Sequence, residues 1–147
     1  MRVIVQRSGK SSVKVEGKLI NEIEKGLVLL VGFTQSDTIE DIKKMAKKIV
    51  NLRIFDDEEG VMNKSVLDIE GEILSISQFT LYANTKKGNR PSYIEALNGK
   101  EAIKLYELFN EELNCYITTK PGIFGADMKV SITNDGPVTI ILDSKKD

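Results

Sequence analysis

Apolar residues first alternate along this chain, then cluster, then recur at helical spacing, and that succession predicts strands feeding a sheet with helices laid on it. Val3 and Val5 alternate with polar neighbours, as do Val13 and Val15, so two short strands open the chain. Glu16-Gly17-Lys18 suits a hairpin turn into a third strand, Leu19–Ile23. Lys25-Gly26 introduces Leu27–Thr34, a continuous apolar run of the type buried on both faces of a sheet. Asp37 is suited to cap a helix, with Glu40 three residues on as its capping-box partner. Ile42, Met45, Ala46 and Ile49 then recur as one face of an amphipathic helix ending near Asn51. Leu52–Phe55 reads as another strand, closed by the acidic turn Asp56–Gly60.

The second half again mixes strands with a helix, without an internal repeat. Glu72–Gln78 is a strand with Leu74 and Ile76 on one face and Ile73, Ser75 and Ser77 on the other. Ala83–Pro91 is polar, basic and Gly-containing, hence a loop. Leu105, Phe109 and Leu113, with Ala102 and Leu108 nearby, predict a second helix over about Lys100–Leu113. Pro121-Gly122 breaks the chain, and Met128, Val130 and Ile132 alternate in a strand. Asn134–Pro137 then turns into a last strand, Val138–Leu142. The expected fold class is α/β: a single domain over 1–147, with a mixed, barrel-like curled β-sheet and two packed helices.

Composition narrows the chemistry more than the fold. With 147 residues, 41% hydrophobic and 29% charged, the chain is long enough for one core and too apolar for disorder. No apolar run approaches the roughly 20 residues of a membrane helix, and the opening strand leaves no signal-peptide core. A lone Cys115 cannot form an internal disulfide, so a reducing cytoplasm is the expected location. There is no histidine, which removes any Ser-His-Asp triad and, with one cysteine, the usual N/S zinc site. No cofactor or metal is expected. Catalysis must run on carboxylates, hydroxyls, lysines, backbone amides or the substrate itself. A net charge of −1 gives no global signal for nucleic acid, so any such ligand must be held by local patches.

Two segments concentrate polar and conformationally special residues. Ser77-Gln78-Phe79-Thr80-Leu81-Tyr82 crowds hydroxyl, amide and aromatic groups where a strand meets a long loop, a usual place for pockets. Its simpler reading is an edge strand whose Ser and Thr satisfy the backbone. No base accompanies Ser77 or Thr80, so neither is an evident activated nucleophile. Asn134-Asp135-Gly136-Pro137-Val138-Thr139 reads first as a turn, but Pro137 cannot donate a hydrogen bond and restricts Gly136. A cis bond there would make a rigid wedge; the sequence is silent on the isomer.

These two segments, with Gly122-Ile123-Phe124-Gly125-Ala126-Asp127-Met128, Met1–Arg7 and Asn51–Phe55, resemble the D-aminoacyl-tRNA deacylase family in order and along nearly the whole chain. Departures include Asn84, where the family often has an acidic residue, and the turn Ser8-Gly9-Lys10 after Arg7. The resemblance implies a homodimer that hydrolyses the ester of D-aminoacyl-tRNA, with the active site at the subunit interface. Ser77, Gln78, Phe79 and Thr80 of one subunit would face a Gly136-cis-Pro137 wedge of the other. Arg7 would support the wedge, and Phe79 would lie by the terminal adenosine. A stiff backbone wall in the direction of an L side chain would reject the L-ester by clash. Backbone N–H groups near Gln78–Thr80 would stabilise the oxyanion, with help from a ribose hydroxyl of the substrate. Such a filter meets nothing to repel in glycine, so glycyl-tRNA, as when mischarged on tRNA-Ala, is an expected substrate.

The remaining charge clusters say less. Lys86, Lys87 and Arg90 follow the candidate site and are candidates for tRNA phosphates. Lys43, Lys44, Lys47 and Lys48 oppose the apolar helix face and read as a solvated surface. Cys115, before Tyr116-Ile117, reads as a small apolar filler in a strand-like setting, and Asp56–Glu59 as an exposed turn rather than a cation site. Expected partners are aminoacyl-tRNA and a second copy of the chain, with no membrane and no DNA. A non-catalytic tRNA- or nucleotide-binding module is the competing function, and a dimeric scaffold a third.

Overall fold

The computed structural model describes residues 1–147. Four strands come first: β1 (Arg2–Ser8), β2 (Ser11–Val15), β3 (Lys18–Ile23) and β4 (Gly26–Gly32). Helix α1 (Ile39–Asn51), a small ribbon of β5 (Phe55–Asp56) and β6 (Met62–Lys64), and β7 (Glu72–Ser77) follow. A 3-10 turn (Phe79–Tyr82), α2 (Gly99–Asn114), β8 (Thr119–Pro121), β9 (Met128–Ser131) and β10 (Asn134–Asp143) complete the chain. No helix is long and apolar enough to cross a membrane.

The larger sheet runs β10-β1-β4-β7-β8, antiparallel on the β10 side and parallel from β4 onward. A second sheet, β3-β2-β9, packs on part of one face: Val13 and Ile23 meet Val28, Leu74 and Ile76. Both helices cover the opposite face, where Val3, Leu29 and Ile73 share a core with Ile42, Ile49 and Phe109. Hence β4 is buried on both sides, as its unbroken apolar run requires. The mixed α/β class is as expected, and the curl of the sheet takes the form of two sheets packed face to face.

Gly26 decides how closely β4 and β7 meet, since a Cβ there would sit 1.8 Å from the Glu72 carbonyl oxygen. At the other end, a Cβ on Gly32 would come within 2.9 Å of the Gln78 carbonyl oxygen and 3.1 Å of Leu81 Cβ. That missing side chain is what lets the 3-10 turn settle onto the end of β4.

Several local expectations move. The cap of α1 is Thr38 with Asp41, not Asp37 with Glu40: Thr38 Oγ1 accepts from Asp41 N–H at 3.2 Å and Asp41 answers at 2.9 Å. Asp37 is occupied elsewhere, accepting from Thr34 N–H at 2.8 Å and from the Met1 amino group. The strand expected at Leu52–Phe55 shrinks to Phe55–Asp56, because it pairs only with the short β6. In α2 the fully covered face is Ala102, Tyr106, Phe109, Asn110 and Leu113, while Leu105 and Leu108 are half-buried at its margin. Thr119–Pro121 forms an unforeseen edge strand, where a proline costs no ladder bond in the sheet interior. Cys115 is exposed at the α2 C-cap rather than a filler in a strand. The turn expected at Asn134–Pro137 lies within β10 as a bulge.

Candidate functional site

The site begins where β7 runs out. Gln78 N–H still donates to the Val31 carbonyl at 2.7 Å, and the chain then winds into the 3-10 turn. Phe79 and Thr80 open that turn, so their N–H groups have no intrahelical acceptor, and no side chain caps them. Gln78 itself is therefore not a free donor; the two residues after it are. Gln78 Nε2 donates to Thr80 Oγ1 at 2.5 Å. An amide cannot take a proton from a hydroxyl, so this contact orients Thr80 without activating it.

Beside the strand end lies a cleft of about 510 Å³, lined at its polar edge by Ser77, Gln78, Phe79 and Tyr93. Its apolar wall includes Val31, Ile76, Ala102, Phe124, Met128 and Val130. Phe79 and Tyr93 meet edge to face, with ring centres 5.0 Å apart and planes at 69°. Behind Phe124 stands Tyr106, 5.8 Å away between ring centres, whose hydroxyl donates to the Ser75 carbonyl at 2.6 Å. The only carboxylate lining the cleft is Asp127, which is 88% exposed and paired with Lys129 at 3.1 Å. Burial pushes the Tyr82 and Tyr106 phenols above their ordinary range, so both stay protonated at neutral pH. The cleft therefore offers shape, aromatic faces and backbone donors, but no side-chain base.

The second motif is built on β10. Register runs Ser8 to Asn134 and Gln6 to Thr139, so residues 135–138 bulge opposite Arg7 alone. The Gly136-Pro137 peptide bond is cis, and Gly136 has φ +119°. Asn134 closes the neck of the bulge: its Nδ2 donates to the carbonyls of Arg7 at 3.1 Å and Val138 at 3.0 Å. Arg7 is only 8% exposed beneath it. Its Nε contacts both the Asp135 carbonyl and carboxylate at 3.3 Å, and its Nη1 donates to the Ile54 carbonyl at 2.9 Å. Asp56 lies 3.4 Å from the same Nη1.

Thus one chain brings Ser77, Gln78 and Phe79 to the cleft, with Thr80 on the adjoining turn, and brings Arg7 against Gly136 and its neighbours. It does not bring the two groups together, since neither Gly136 nor Pro137 lines the cleft. Lys86, Lys87 and Arg90 lie exposed on a loop closed by the paired backbones of Asn84 and Ser92, at 2.8 and 2.9 Å. None of the three is in an ion pair. The acidic turn is closed on itself, with Asp57 accepting from the N–H groups of Glu59 and Val61 at 2.9 and 3.0 Å.

Tyr93, Ala102, Phe124, Asn134 and Gly32 contribute to these sites without having been singled out by sequence reasoning for those roles. Asn134 carried a signal as a polar side chain leading into Gly-Pro, and Phe124 carried one through the Gly122–Met128 segment of the resemblance. The others depend on contacts across the fold.

A family model described as D-Tyr-tRNA(Tyr) deacylase matches residues 4–143. Among curated relatives, a D-aminoacyl-tRNA deacylase of Clostridium novyi (strain NT) is 58% identical over 100% of this chain and 99% of its own length. A D-aminoacyl-tRNA deacylase of Bacteroides fragilis (strain YCH46) is 57% identical over 99% of this chain and 98% of its own. Among solved structures, c-Myc DNA Unwinding Element Binding Protein is 43% identical with TM-score 0.92, covering 97% of this chain and 98% of that one. A probable eukaryotic D-amino acid tRNA deacylase, 17% identical, matches in fold with TM-score 0.81 over 96% of this chain and 97% of that one.

Proposed function

The chain belongs to the D-Tyr-tRNA(Tyr) deacylase family, and from that premise we propose that it hydrolyses D-aminoacyl-tRNA by backbone and substrate groups rather than by a side-chain base. One observation carries the mechanism: Phe79 and Thr80 present uncapped N–H groups beside an apolar cleft that holds no catalytic base. Water adds to the ester carbonyl, and these donors stabilise the oxyanion that forms. The carbon–oxygen bond to the ribose then breaks, with a proton passing to the leaving ribose oxygen. Free D-amino acid and tRNA result. Each such donor is typically worth about 3–4 kcal/mol to the transition state. A neighbouring ribose hydroxyl of the substrate relays the proton that no histidine is present to carry.

Chirality is read by the Gly136-Pro137 bulge of a second copy, which fills the direction an L side chain would need. Two features support a dimer. The bulge and the cleft are separate within one chain, and an apolar row lies partly uncovered. That row runs from Ile76, under the smaller sheet, through the paired positions Leu30, Ile4 and Ile141, ending with Ile141 70% exposed. Lys86, Lys87 and Arg90 hold tRNA phosphates as unneutralised cations.

The test follows release of amino acid from D-Tyr-tRNA and L-Tyr-tRNA. Turnover confined to the D-ester is expected, and binding without turnover sinks the enzymatic reading. Because a clash filter cannot repel hydrogen, Gly-tRNA should be hydrolysed while L-Ala-tRNA is spared. One missing methyl is worth only about 1–3 kcal/mol to a pocket relying on attraction. Gly-tRNA as resistant as L-Ala-tRNA would overturn the steric wall and leave positive recognition of the D side chain.

A further inference from the structure

The 3-10 turn at the cleft is four residues long and closes few hydrogen bonds of its own, and short 3-10 segments hold themselves weakly. Something outside it must fix its depth. Gly32 admits it from below, as described above. From the side it is gripped by Arg2, which neither the cleft nor the bulge includes. Arg2 Nη1 donates to the Leu81 carbonyl at 3.0 Å, and its guanidinium carbon lies 4.4 Å over the centre of the Tyr82 ring. The buried Tyr82 hydroxyl has no partner, so the ring face is what is held. Arg2 is itself anchored: its Nε donates to Asp143 Oδ2 at 3.0 Å, directly across the β1–β10 pairing. Asp143 Oδ1 is in turn fixed by Lys145 N–H at 2.9 Å. One rigid fork thus ties the last strand to the turn, through two donors and a flat face that an ammonium group lacks.

We propose that Arg2 is a positioning residue for the deacylation, holding the Phe79–Tyr82 turn at the depth and angle at which its backbone faces the cleft. The inference rests on reading that turn as the reacting edge of the cleft. It assigns Arg2 no contact with substrate.

The experiment compares wild type, Arg2→Lys, Arg2→Gln, Asp143→Asn and the Arg2→Gln/Asp143→Asn double variant on D-Tyr-tRNA at steady state, with melting curves for each. In the Arg2 variants kcat should fall about 10- to 100-fold, the scale of a small misplacement of a reacting group, with KM within about a factor of two. Arg2→Lys should recover little, and the double variant should be no worse than Arg2→Gln, as expected of residues acting as one unit. Wild-type kcat in a folded Arg2 variant, or a loss confined to KM, overturns the proposal. So does a loss that merely follows the unfolded fraction at the assay temperature. Amide hydrogen exchange at Leu81 and Ala83, whose N–H groups donate to the Gln78 and Thr80 carbonyls, reads the grip without any turnover: Arg2→Lys, which keeps the charge if Arg2→Gln will not fold, should exchange faster there than wild type. Unchanged exchange defeats the proposal. Absence of wild-type turnover would instead defeat the deacylase reading, leaving the exchange result to decide the role of Arg2.

Discussion

At Gly136, φ is +119°, and an added methyl would lie 2.9 Å from Val138 Cγ2 and 3.0 Å from Arg7 Nη2. Arg7 cannot yield easily, being held by Ile54 and Asp135. Gly136→Ala should therefore reshape the bulge at a local cost of about 1–3 kcal/mol. D-ester hydrolysis should fall, or D/L selectivity loosen, in a protein that melts roughly 3–12 °C lower yet stays folded at the assay temperature. Full activity with unchanged selectivity removes Gly136 from the mechanism. Thr80 is a different case, since its hydroxyl meets only the Gln78 amide and no base. Thr80→Ala should lose far less than the roughly 10⁶-fold that follows deletion of a covalent nucleophile. Mass spectrometry of the wild type during turnover checks this directly, because an acyl group trapped on Thr80 contradicts it.

Between elements, the tightest constraint is the β4–β7 pairing at Gly26. A Cβ there would stand 1.8 Å from Glu72 O and 2.7 Å from Glu72 N, both backbone atoms in a parallel ladder that extends to Ser77. Neither strand can move without disturbing a core packed on both faces. Gly26→Ala should thus destabilise by more than about 4 kcal/mol, the range reserved for clashes of this kind, and chemical denaturation reads it. At α1, Thr38→Ala should cost only about 1 kcal/mol, because it removes one capping oxygen from an exposed helix start. An equal loss from Asp37→Ala alone would not restore the expected cap, since Asp37 bonds to Thr34 and Met1 instead.

On the scale of the molecule, acidic groups tie the chain ends to the first helix. Burial alone would raise Asp143, but Lys145 N–H and Arg2 outweigh it and hold the carboxyl below its usual range. Asp41 is likewise raised by burial yet lowered overall by Lys145 and Thr38. A carboxylate with a depressed folded pKa contributes stability that is full above its unfolded value, near 4, and fades as pH falls through the folded value. Melting temperature should therefore hold from neutral pH down to about 5 and drop below about 4. Asp143→Asn should flatten that acid limb, and an unchanged limb would show that these contacts do not govern acid stability.

Much of this was written in the linear pattern. The period-2 runs of β1, β2 and β9, the two-sided burial of β4 and the face of α1 follow from apolar spacing, because side-chain direction is fixed locally by backbone geometry. The absence of histidine likewise restricted the chemistry before any fold was known. What spacing could not give were choices made by distant partners. Asp37 surrendered the cap to Thr38 because the Met1 amino group and Thr34 claim it. Asn134–Pro137 became a bulge rather than a free turn because β1 pairs on both sides of it. The cleft joins Phe79 to Tyr93 and Phe124 only through packing of separate segments. Arg2 reaches Leu81 and Tyr82 because β10 and β4 flank β1, placing residue 2 beside a turn 79 positions away. Local sterics decide which way a residue faces; only the closed tertiary structure decides what it meets there.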